Sequence, residues 1–486
     1  MIYKLRPYQE ECVKSISDYI NSDRHDPVLI VGPVGCGKSL LIAEAARLMG
    51  DKTLILQPSK ELLQQNHDKI TSYGIPATIY SASCGKKELS NMIYATLGSI
   101  KKVVDKLKEM GIRNVLIDEA HAGYSPEEDS EFMKFMNELK PSKVIGFTAT
   151  PCRLKTMSIG QVSYSQLNFI TRMRPVYFRN LIHVIQVEEM IRQGFWTPLK
   201  YETWDFNGDA LKLNSNGSEY TAESISEAVR KNGLNNLILR RLMVLKDVCR
   251  SILVFMDSVE SCNTAAEWMN AKICAGMAEV VHGGTPKKQR EAIVERFKSG
   301  GTRVVFNYSA LGTGFDHPGL DCVIVGRPTF SFSSFYQWLG RAVRIKDGKD
   351  SALVVDCCNN SSRFGDIRKL SIENYKGYGW GMFIGDRLIT NIPMGDKVTK
   401  TDLDIKAAKK DRRRGLAQGI TASPVPGRPD HPLGSTVMTF GKYCGWMFHS
   451  IPVSYFKFIN ETFDWDNDRN KDIKEYIDFL IKNNRL

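Results

Sequence analysis

The sequence lacks any apolar run long enough to cross a membrane. None of its 486 residues belongs to an unbroken apolar stretch of the length that a spanning helix needs, which is about 18 residues or more. The first residues, MIYKLRPYQEE, also lack the apolar core of a secretory signal peptide. We therefore expect a protein that does not bind membranes and works in the cytoplasm.

Cysteine is present, but it is not arranged in the pairs that hold a metal. The 11 cysteines are spread along the chain, none stands in a C-x-x-C pattern, and the closest two, Cys357 and Cys358, are adjacent. This spacing argues against a zinc ribbon and against an iron–sulfur centre. An odd number of scattered cysteines indicates reduced and mostly buried thiols.

The chain has an excess of positive charge. Lysine and arginine number 66 against 54 aspartates and glutamates, which gives a formal net charge of +12. Such an excess is the electrostatic footprint of a protein that binds a phosphate backbone. A basic protein with a solvated surface and no polyanionic partner is the alternative, and charge alone does not decide between them.

A glycine-rich stretch near the N-terminus combines the features of a phosphate-binding loop. Residues 28–31, VLIV, predict a short buried strand, and GPVGCGKS at 32–39 leads from it into a helical pattern. Strand, loop and helix in this order are the context in which G-x-x-x-x-G-K-S binds phosphate, because glycines let backbone amides approach and the helix N-terminus attracts an anion. The lysine is expected on the β- and γ-phosphates of ATP and the serine on Mg²⁺. The predicted nucleotide-binding residues are Gly35, Gly37, Lys38 and Ser39.

A second aliphatic strand ends in two adjacent carboxylates. Residues 114–117 are followed by Asp118 and Glu119 within the segment LIDEAH, residues 116–121. In phosphate-loop enzymes an acidic residue at the end of a second strand completes the magnesium site, and we assign this role to Asp118. Glu119 would then lie beside the γ-phosphate, where a carboxylate can orient and deprotonate water. His121 is a candidate for coupling between domains.

These two segments belong to an ordered series that resembles the superfamily 2 helicases and translocases of the DEAH type. LRPYQ at 5–9 resembles their adenine-reading motif, with Gln9 as the adenine contact. QPSKEL at 57–62 and ATLGS at 95–99 resemble strand-contacting motifs, and GFTATP at 146–151 resembles the motif that links hydrolysis to strand movement. The resemblance implies strand contacts at Ser59, Thr96 and Ser99, and coupling roles for Thr148 and Thr150.

The second half of the chain continues the series. ILVFMDS at 252–258 resembles the first strand and backbone-contact loop of a second lobe, and VHGG at 281–284 follows. NYSALGTGFD at 307–316 resembles the motif that touches both nucleotide and strand, and QWLGRAVR at 337–344 matches Q-x-x-G-R-x-x-R. The resemblance implies strand contacts at Ser258, His282 and Ser309, nucleotide contacts at Gly312 and Asp316, and catalytic roles for Gln337, Arg341 and Arg344.

The two arginines also have a chemical reason to be where they are. A phosphoryl transition state spreads negative charge over its oxygens, and arginines from a neighbouring domain can neutralise it. Arg341 and Arg344 are three residues apart, a spacing that predicts one face of a helix. The second half has no phosphate loop of its own, so we expect one ATP in a cleft between two lobes. The catalytic residues would be Lys38, Glu119, Gln337, Arg341 and Arg344.

The predicted fold is α/β, with two tandem RecA-like lobes on parallel sheets and a small C-terminal α+β module. Apolar runs alternate with helical patterns along both lobes, as parallel sheets with crossover helices require. The predicted divisions are lobe 1 at 1–150, a connecting region at 151–235, lobe 2 at 236–370, a basic extension containing glycine and proline at 371–433, and the module at 434–486.

The C-terminal part is less informative. Residues 400–414 carry seven basic and three acidic side chains, a run that is either solvated or holds duplex phosphates. Prolines within 424–432 predict a stiff linker. FGKYCGW at 440–446 reads as a tight turn between short strands, and a helix is expected to begin within 451–456. The module resembles one found beside phage and bacterial nucleic-acid enzymes. Docking to DNA, docking to a protein partner and simple packing all remain open.

The resemblance implies an ATP- and Mg²⁺-dependent DNA helicase or translocase in the cytoplasm of a bacterium or a phage-infected host. The compact size and basic tail favour a phage-type motor that remodels branched DNA, such as forks and four-way junctions, in replication, recombination or repair. An RNA helicase is an alternative, because the motif contacts are mostly to backbone. The motor subunit of a restriction complex is another. A binding scaffold with a degenerate nucleotide site is disfavoured by the intact motif set.

Overall fold

The computed structural model divides the chain into two compact units. They comprise Met1–Tyr375 with Gly379–Val398, and Lys376–Tyr378 with Thr399–Leu486. The residues described are 4–50, 52–159, 162–312, 315–407, 431–439, 443, 446–462 and 471–486. Across these ranges no helix is both long enough and apolar enough to span a bilayer.

The first lobe is built on an eight-stranded sheet. Its strands are β1 (Val28–Val31), β2 (Thr53–Leu56), β3 (Thr78–Ser81), β4 (Lys86–Lys87), β5 (Met92–Ala95), β6 (Asn114–Ile117), β7 (Lys143–Thr148) and β10 (Asn180–Val184). Their order is β10-β1-β7-β6-β2-β5-β3-β4, and of the recorded pairs only β3 with β4 is antiparallel. All four residues of β1 are buried. The strand is an unbroken aliphatic run because both of its faces are covered. The edge strand β10 comes from the segment that the sequence assigned to the connection.

Helices cover this sheet and bring polar side chains to its carboxyl edge. They are α1 (Pro7–Asn21), α2 (Lys38–Met49), α3 (Lys60–Ser72), α4 (Leu97–Ile100), α5 (Val104–Glu109) and α6 (Glu131–Leu139). Ser59 caps α3 by accepting a 3.3 Å hydrogen bond from the Leu62 amide, and Ser130 caps α6 in the same way. A long antiparallel hairpin, β8 (Cys152–Ile159) with β9 (Val162–Phe169), leaves the lobe directly after β7.

The second lobe is built on a six-stranded sheet whose recorded pairs are all parallel. Its strands are β11 (Leu199–Thr203), β12 (Ile252–Phe255), β13 (Ala278–His282), β14 (Val304–Tyr308), β15 (Cys322–Val325) and β16 (Ala352–Asp356), in the order β11-β16-β15-β12-β14-β13. The helices are α7 (Val187–Arg192), which precedes β11, then α8 (Ala222–Lys231), α9 (Leu234–Val248), α10 (Val259–Lys272), α11 (Lys287–Ser299), α12 (Phe332–Leu339) and α13 (Asn360–Phe364). Two parallel-sheet lobes therefore confirm the predicted fold class.

Antiparallel strands follow the second lobe. They are β17 (Leu370–Tyr375), β18 (Gly379–Ile384) and β19 (Arg387–Leu388), and a further short strand, β20, is Val398–Thr399. These strands occupy part of the segment predicted as a glycine-containing extension. Most of the predicted basic run and the proline linker, from residue 408 to 430, lie outside the described residues.

The C-terminal unit has a core of its own. Its helices are α14 (Val453–Thr462) and α15 (Lys471–Lys482). Phe448, Phe456, Tyr476 and neighbouring aliphatic side chains are buried together. An antiparallel bridge joins Val437 to Met447, on either side of the predicted turn, most of whose residues lie outside the described part. The helix expected after residue 451 begins at Val453.

Candidate active site

The phosphate loop of the first lobe owes its shape to two glycines. Gly35 and Gly37 have φ of +83° and +82°, a left-handed conformation that side chains with a Cβ rarely adopt. At Gly37 an added Cβ would also lie 2.5 Å from Nε2 of Gln9. The loop then passes directly into α2, whose first residues are Lys38 and Ser39. The backbone amides of a helix N-terminus therefore lie where the sequence predicts the phosphates.

Lys38 is paired with the carboxylates at the end of β6. Its Nζ bonds to Oε1 of Glu119 and lies 3.9 Å from Oδ1 of Asp118. The side chains of Lys38, Glu119 and Asp118 are only 18%, 16% and 5% exposed. The charge of the lysine amine is therefore balanced by the two acidic residues.

Burial and charge pull the pKa values of these groups in opposite directions. Burial raises the pKa of Asp118 to about 6, although the charge of Lys38 partly opposes it. Burial would also raise the pKa of Glu119, but Lys38 and His121 outweigh it and hold that pKa well below its ordinary range. Glu119 is therefore ionised at neutral pH, as a general base must be.

Asp118 is held in place by an amide that the sequence motifs do not include. Nδ2 of Asn66 donates to Oδ2 of Asp118 at 3.0 Å and to Oε1 of Gln57 at 3.1 Å. The Glu119 amide donates to Oδ1 of Asp118 at 2.9 Å. Asn66 is a buried polar residue on α3, and it reaches Asp118 only because the fold brings α3 close to the residues that follow β6.

The donors at this edge suit a magnesium ion that is completed by a nucleotide. Ser39 offers a hydroxyl and Asp118 a carboxylate, which are oxygen ligands of the kind that Mg²⁺ prefers. Within the described part of the chain no group of three or more His, Cys, Asp or Glu side chains could hold a metal unaided. A Mg²⁺ ion would therefore take its other ligands from phosphates and water.

Gln9 lies against the phosphate loop, next to an aromatic ring that the sequence motifs do not include. Its Nε2 donates to the Cys36 carbonyl at 2.9 Å, and its Oε1 accepts from the Arg6 amide at 3.0 Å. The Arg6 guanidinium lies 4.6 Å from the centre of the Phe195 ring. Gln9, Arg6 and Phe195 all line the cleft. A ring and a guanidinium of this kind can stack against an adenine base.

Lobe 2 contributes two half-buried arginines to the same cleft. Arg341 donates to the carbonyls of Phe315 and Gly312 at 2.6 and 2.7 Å, and Arg344 pairs with Asp316. Burial lowers the pKa of each guanidinium to about 10, so both remain charged at neutral pH. The arginines therefore bring positive charge into a poorly solvated place, where it acts most strongly on a developing negative charge.

The prediction that the two arginines share a helical face is wrong. Helix α12 ends at Leu339, and the Arg341 amide bonds to the Trp338 carbonyl across a single turn. The chain leaves the helix at Gly340, where an added Cβ would lie 2.5 Å from Val34 of the phosphate loop. The arginines reach the nucleotide cleft from a loop, because the helix ends where it meets the first lobe.

The cleft is an open cavity of about 440 Å³ formed by both lobes. The lining residues that the sequence named are Gln9, Gly35, Gly37, Lys38, Ser39, Glu119, Asp316, Gln337, Arg341 and Arg344. Gln65 and Lys69 of α3, which the sequence did not name, line it too. Gly312 lines a neighbouring pocket with Gln337. Two halves of the chain thus bring most of the predicted phosphate-binding and catalytic residues together in one cleft.

The segment that joins the lobes touches both sides of the cleft. The Trp196 indole donates to the Val34 carbonyl of the phosphate loop at 2.9 Å. The next residue, Thr197, bonds through its amide to the Val343 carbonyl and through its hydroxyl to the Arg344 carbonyl, at 2.8 and 2.7 Å. The joining segment is therefore hydrogen-bonded to the phosphate loop and to the arginine loop at adjacent positions.

The predicted coupling residues form a connected group. Nδ1 of His121 lies 2.8 Å from Oγ1 of Thr148 and 3.3 Å from Oε2 of Glu119. Nε2 of His121 lies 3.2 Å from Oγ of Ser333, which in turn lies 3.2 Å from Oγ1 of Thr150. Ser333 belongs to α12 of the second lobe and was not identified from the sequence.

The six predicted strand contacts lie at the carboxyl edges of the two sheets, but the structure does not bring them into contact as one cluster. Each one follows or ends a parallel strand, which is the edge where α/β sheets bind ligands. Ser258 caps α10 by accepting from the Ser261 amide at 3.0 Å, as Ser59 does for α3. The remaining positions are Thr96, Ser99, His282 and Ser309.

Two family models match the chain, one on each lobe. Residues 2–153 match the type III restriction enzyme res subunit, and residues 235–346 match the helicase conserved C-terminal domain. The first match contains the phosphate loop and both carboxylates, and the second contains both arginines. Each matched region therefore contains residues that its own lobe contributes to the cleft.

Known proteins with related sequences include a candidate ATP-dependent helicase, IRC3, of Saccharomyces cerevisiae. It is 25% identical over 279 residues, covering 57% of this chain and 38% of the yeast protein. A 51.5 kDa protein of a Lactococcus phage is 25% identical over 332 residues, covering 68% of this chain and 65% of the phage protein. The chain thus spans between about two fifths and two thirds of these relatives.

A solved structure with the same fold is the type ISP restriction-modification enzyme LlaBIII bound to DNA. The likeness has a TM-score of 0.54 at 15% sequence identity, and it covers 86% of this chain and 30% of LlaBIII. At this identity the likeness shows the fold alone.

Proposed function

We propose that this ATPase, a member of the ATP-dependent helicase and translocase family, is a DNA motor that remodels branched DNA such as forks and four-way junctions. The observation that carries the proposal is the shared cleft. Lys38 and Glu119 enter it from the first lobe, and Arg341 and Arg344 enter it from the second. A site divided in this way is complete only when the lobes are together, so hydrolysis is tied to a movement between them.

We propose a step in hydrolysis for each of these residues. Lys38 leaves Glu119 for the phosphates of ATP, and the freed carboxylate of Glu119 orients water and accepts its proton. Arg341 and Arg344 neutralise charge on the γ-phosphate in the transition state. Ser39 and Asp118 would hold Mg²⁺, which when bound neutralises charge on the phosphates.

Several observations support DNA as the polymer. The net charge of +12 suits a phosphate backbone, and the six predicted strand contacts follow the carboxyl edges of both sheets. LlaBIII, which shares the fold, is bound to DNA in its structure. We propose that the strand runs along these edges and that the basic residues after 400 hold the duplex part of a branched substrate. We further propose that the C-terminal unit docks DNA or a protein partner.

A second candidate function is the motor part of a restriction complex. It is favoured by the match of residues 2–153 to the res subunit of type III restriction enzymes. A restriction motor would act with partner subunits and would translocate on unbranched duplex DNA. Its ATP hydrolysis should therefore respond to duplex DNA at least as strongly as to a junction.

The test is steady-state ATP hydrolysis with equal nucleotide concentrations of single-stranded DNA, duplex DNA, four-way junction and single-stranded RNA. Glu119→Gln provides the blank. Strongest stimulation by the junction supports branch remodelling, and equal or stronger stimulation by duplex supports the restriction motor. Strongest stimulation by RNA would overturn DNA as the substrate and favour an RNA helicase.

A further inference from the structure

We infer that Ser333 is a positioning residue through which closure of the two lobes sets the orientation of the Glu119 carboxylate. The inference rests on the proposed function, because it concerns how nucleic acid stimulates the same active site. Ser333 lies on α12 of the second lobe, and its hydroxyl reaches two side chains of the first lobe. These are His121, 3.2 Å away at Nε2, and Thr150, 3.2 Å away at Oγ1.

The histidine ring connects the two lobes through its two nitrogens. Nδ1 of His121 lies 2.8 Å from the Thr148 hydroxyl and 3.3 Å from Oε2 of Glu119. Nε2, on the opposite edge of the ring, meets the hydroxyl of Ser333. The Ser333 hydroxyl also contacts the Thr150 hydroxyl. The hydroxyl of the second lobe thus helps to hold the orientation of the ring that lies beside the Glu119 carboxylate.

Local strain makes the base sensitive to such support. Glu119 has φ of +46°, in a region that residues other than glycine rarely adopt. Its carboxylate bonds to Lys38 through Oε1 and lies beside His121 through Oε2, and it would lose the first partner when Lys38 turns to a nucleotide. From then on His121 is the side chain that holds the carboxylate, and His121 is itself anchored by Thr148 at 2.8 Å and by Ser333.

The position of Ser333 on its helix connects this contact with the rest of the second lobe. Ser331 and Ser334 bond to each other at the N-terminal cap of α12, with their hydroxyl oxygens 3.0 Å apart, whereas Ser333 faces the first lobe. Gln337, which lines the nucleotide cleft, follows Ser333 by four residues and therefore lies on the same face of the helix. Any shift of α12 moves both side chains together relative to Glu119.

The test compares single-hydroxyl variants of the full-length protein. Ser333→Ala removes the contact, and Ser333→Thr keeps a hydroxyl. Ser334→Ala is the matched control, because it removes a neighbouring hydroxyl that bonds within its own lobe. For each variant, kcat and KM for ATP are measured with the nucleic acid that stimulates the wild-type protein most strongly, and folding is checked by thermal unfolding.

We expect Ser333→Ala to lower the stimulated kcat by about tenfold, the scale of one net hydrogen bond, with KM for ATP within about twofold of wild type. Ser333→Thr should recover most of the rate, and Ser334→Ala should match wild type. A stimulated kcat that Ser333→Ala leaves intact overturns the inference. So does a Thr variant as slow as the Ala variant, or a KM that rises as much as kcat falls.

A double-mutant cycle keeps the inference testable if Ser333→Ala also lowers stability. Thr150→Val and Ser333→Ala remove the two ends of one contact. The decrease in stimulated kcat in the double variant should therefore be smaller than the product of the two decreases in the single variants. Multiplicative effects would overturn the inference. If no nucleic acid stimulates the wild-type protein, the proposed motor function fails, and the role of Ser333 fails with it. If stimulation is normal and Ser333→Ala is silent, only the role of Ser333 fails.

Discussion

Replacing Glu119 by glutamine should have two opposite effects, because the same carboxylate is both the proposed base and the partner of Lys38. The substitution removes the proton acceptor for the attacking water, so turnover should fall by at least ~10²-fold, the scale of losing one positioned catalytic group. It also removes the negative charge that holds Lys38 away from a nucleotide. ATP should therefore bind more tightly to the variant that hydrolyses it poorly.

The expected gain in affinity follows from the Lys38–Glu119 contact. A hydrogen bond to a charged group is worth ~1.5–3 kcal/mol and a neutral one about half as much. Glutamine keeps an oxygen that can accept from Lys38, so only the charge-dependent part is lost, ~1 kcal/mol. ATP no longer has to compete against that part. The dissociation constant for ATP should fall by about fivefold.

Equilibrium binding of ATP and steady-state hydrolysis are measured on the same preparations. Glu128→Gln is the matched control, since Glu128 is exposed and its replacement changes the net charge by the same amount. ATP that binds more weakly to Glu119→Gln than to wild type would refute the view that the Lys38 pair opposes nucleotide binding. Full turnover in Glu119→Gln would refute the assignment of the base.

Three further predictions concern the second lobe. Lys349 donates to the carbonyls of Ala342 and Arg344 at 2.7 and 2.8 Å. Lys349→Met should therefore lower kcat by about tenfold, whereas the control Lys346→Met, at an exposed neighbouring position, should leave kcat unchanged. Equal kcat values for the two variants would show that Lys349 does not position the arginine loop. Gly340→Ala places a methyl group against the phosphate loop and should raise KM for ATP severalfold. Gly208→Ala is the control, because a Cβ added there would make only ordinary van der Waals contact. An unchanged KM in Gly340→Ala would contradict the close approach of the two lobes. Burial and neighbouring lysines lower the pKa of His317 to about 4. As pH falls below ~6.5 the histidine therefore takes up a proton in the unfolded chain before it does so in the folded protein, and the free energy of unfolding should decrease between pH 6.5 and 4. Denaturant titrations should show a shallower decrease with falling pH in His317→Gln, and the same decrease in the variant and the wild type would refute the assignment.

The sequence predicts the parts of the site that depend on local order along the chain. The phosphate loop follows β1 directly, and Asp118 and Glu119 follow β6 directly, so each motif carries its own strand with it. The fold class follows for the same reason, because aliphatic runs such as VLIV mark central strands of parallel sheets. The roles of the individual site residues remain predictions that the geometry supports.

Contacts between distant segments could not be read from the sequence. Phe195, Asn66 and Ser333 reach the site only because a joining segment, a crossover helix and a second lobe pack against it. The edge strands β10 and β11 lack a long aliphatic run, since one side of an edge strand is open, and NLIHV and LKYET therefore resemble loop sequence. The spacing of Arg341 and Arg344 is compatible with a helix or with a turn. The sequence does not show that Gly340 lies close to the first lobe, which is where the helix ends.

The short path between the two sheets limits how far the two lobes can separate. Only residues 185–198 separate β10 of the first sheet from β11 of the second, and α7 takes up nearly half of them. Trp196 and Thr197 attach the end of this path by hydrogen bonds to the backbone of the phosphate loop and of the arginine loop. The two lobes are therefore joined by a short segment that is hydrogen-bonded at the predicted nucleotide site. In the proposed DNA motor, a step that separates the lobes would have to break those hydrogen bonds, so release of the hydrolysed nucleotide would be coupled to movement along DNA.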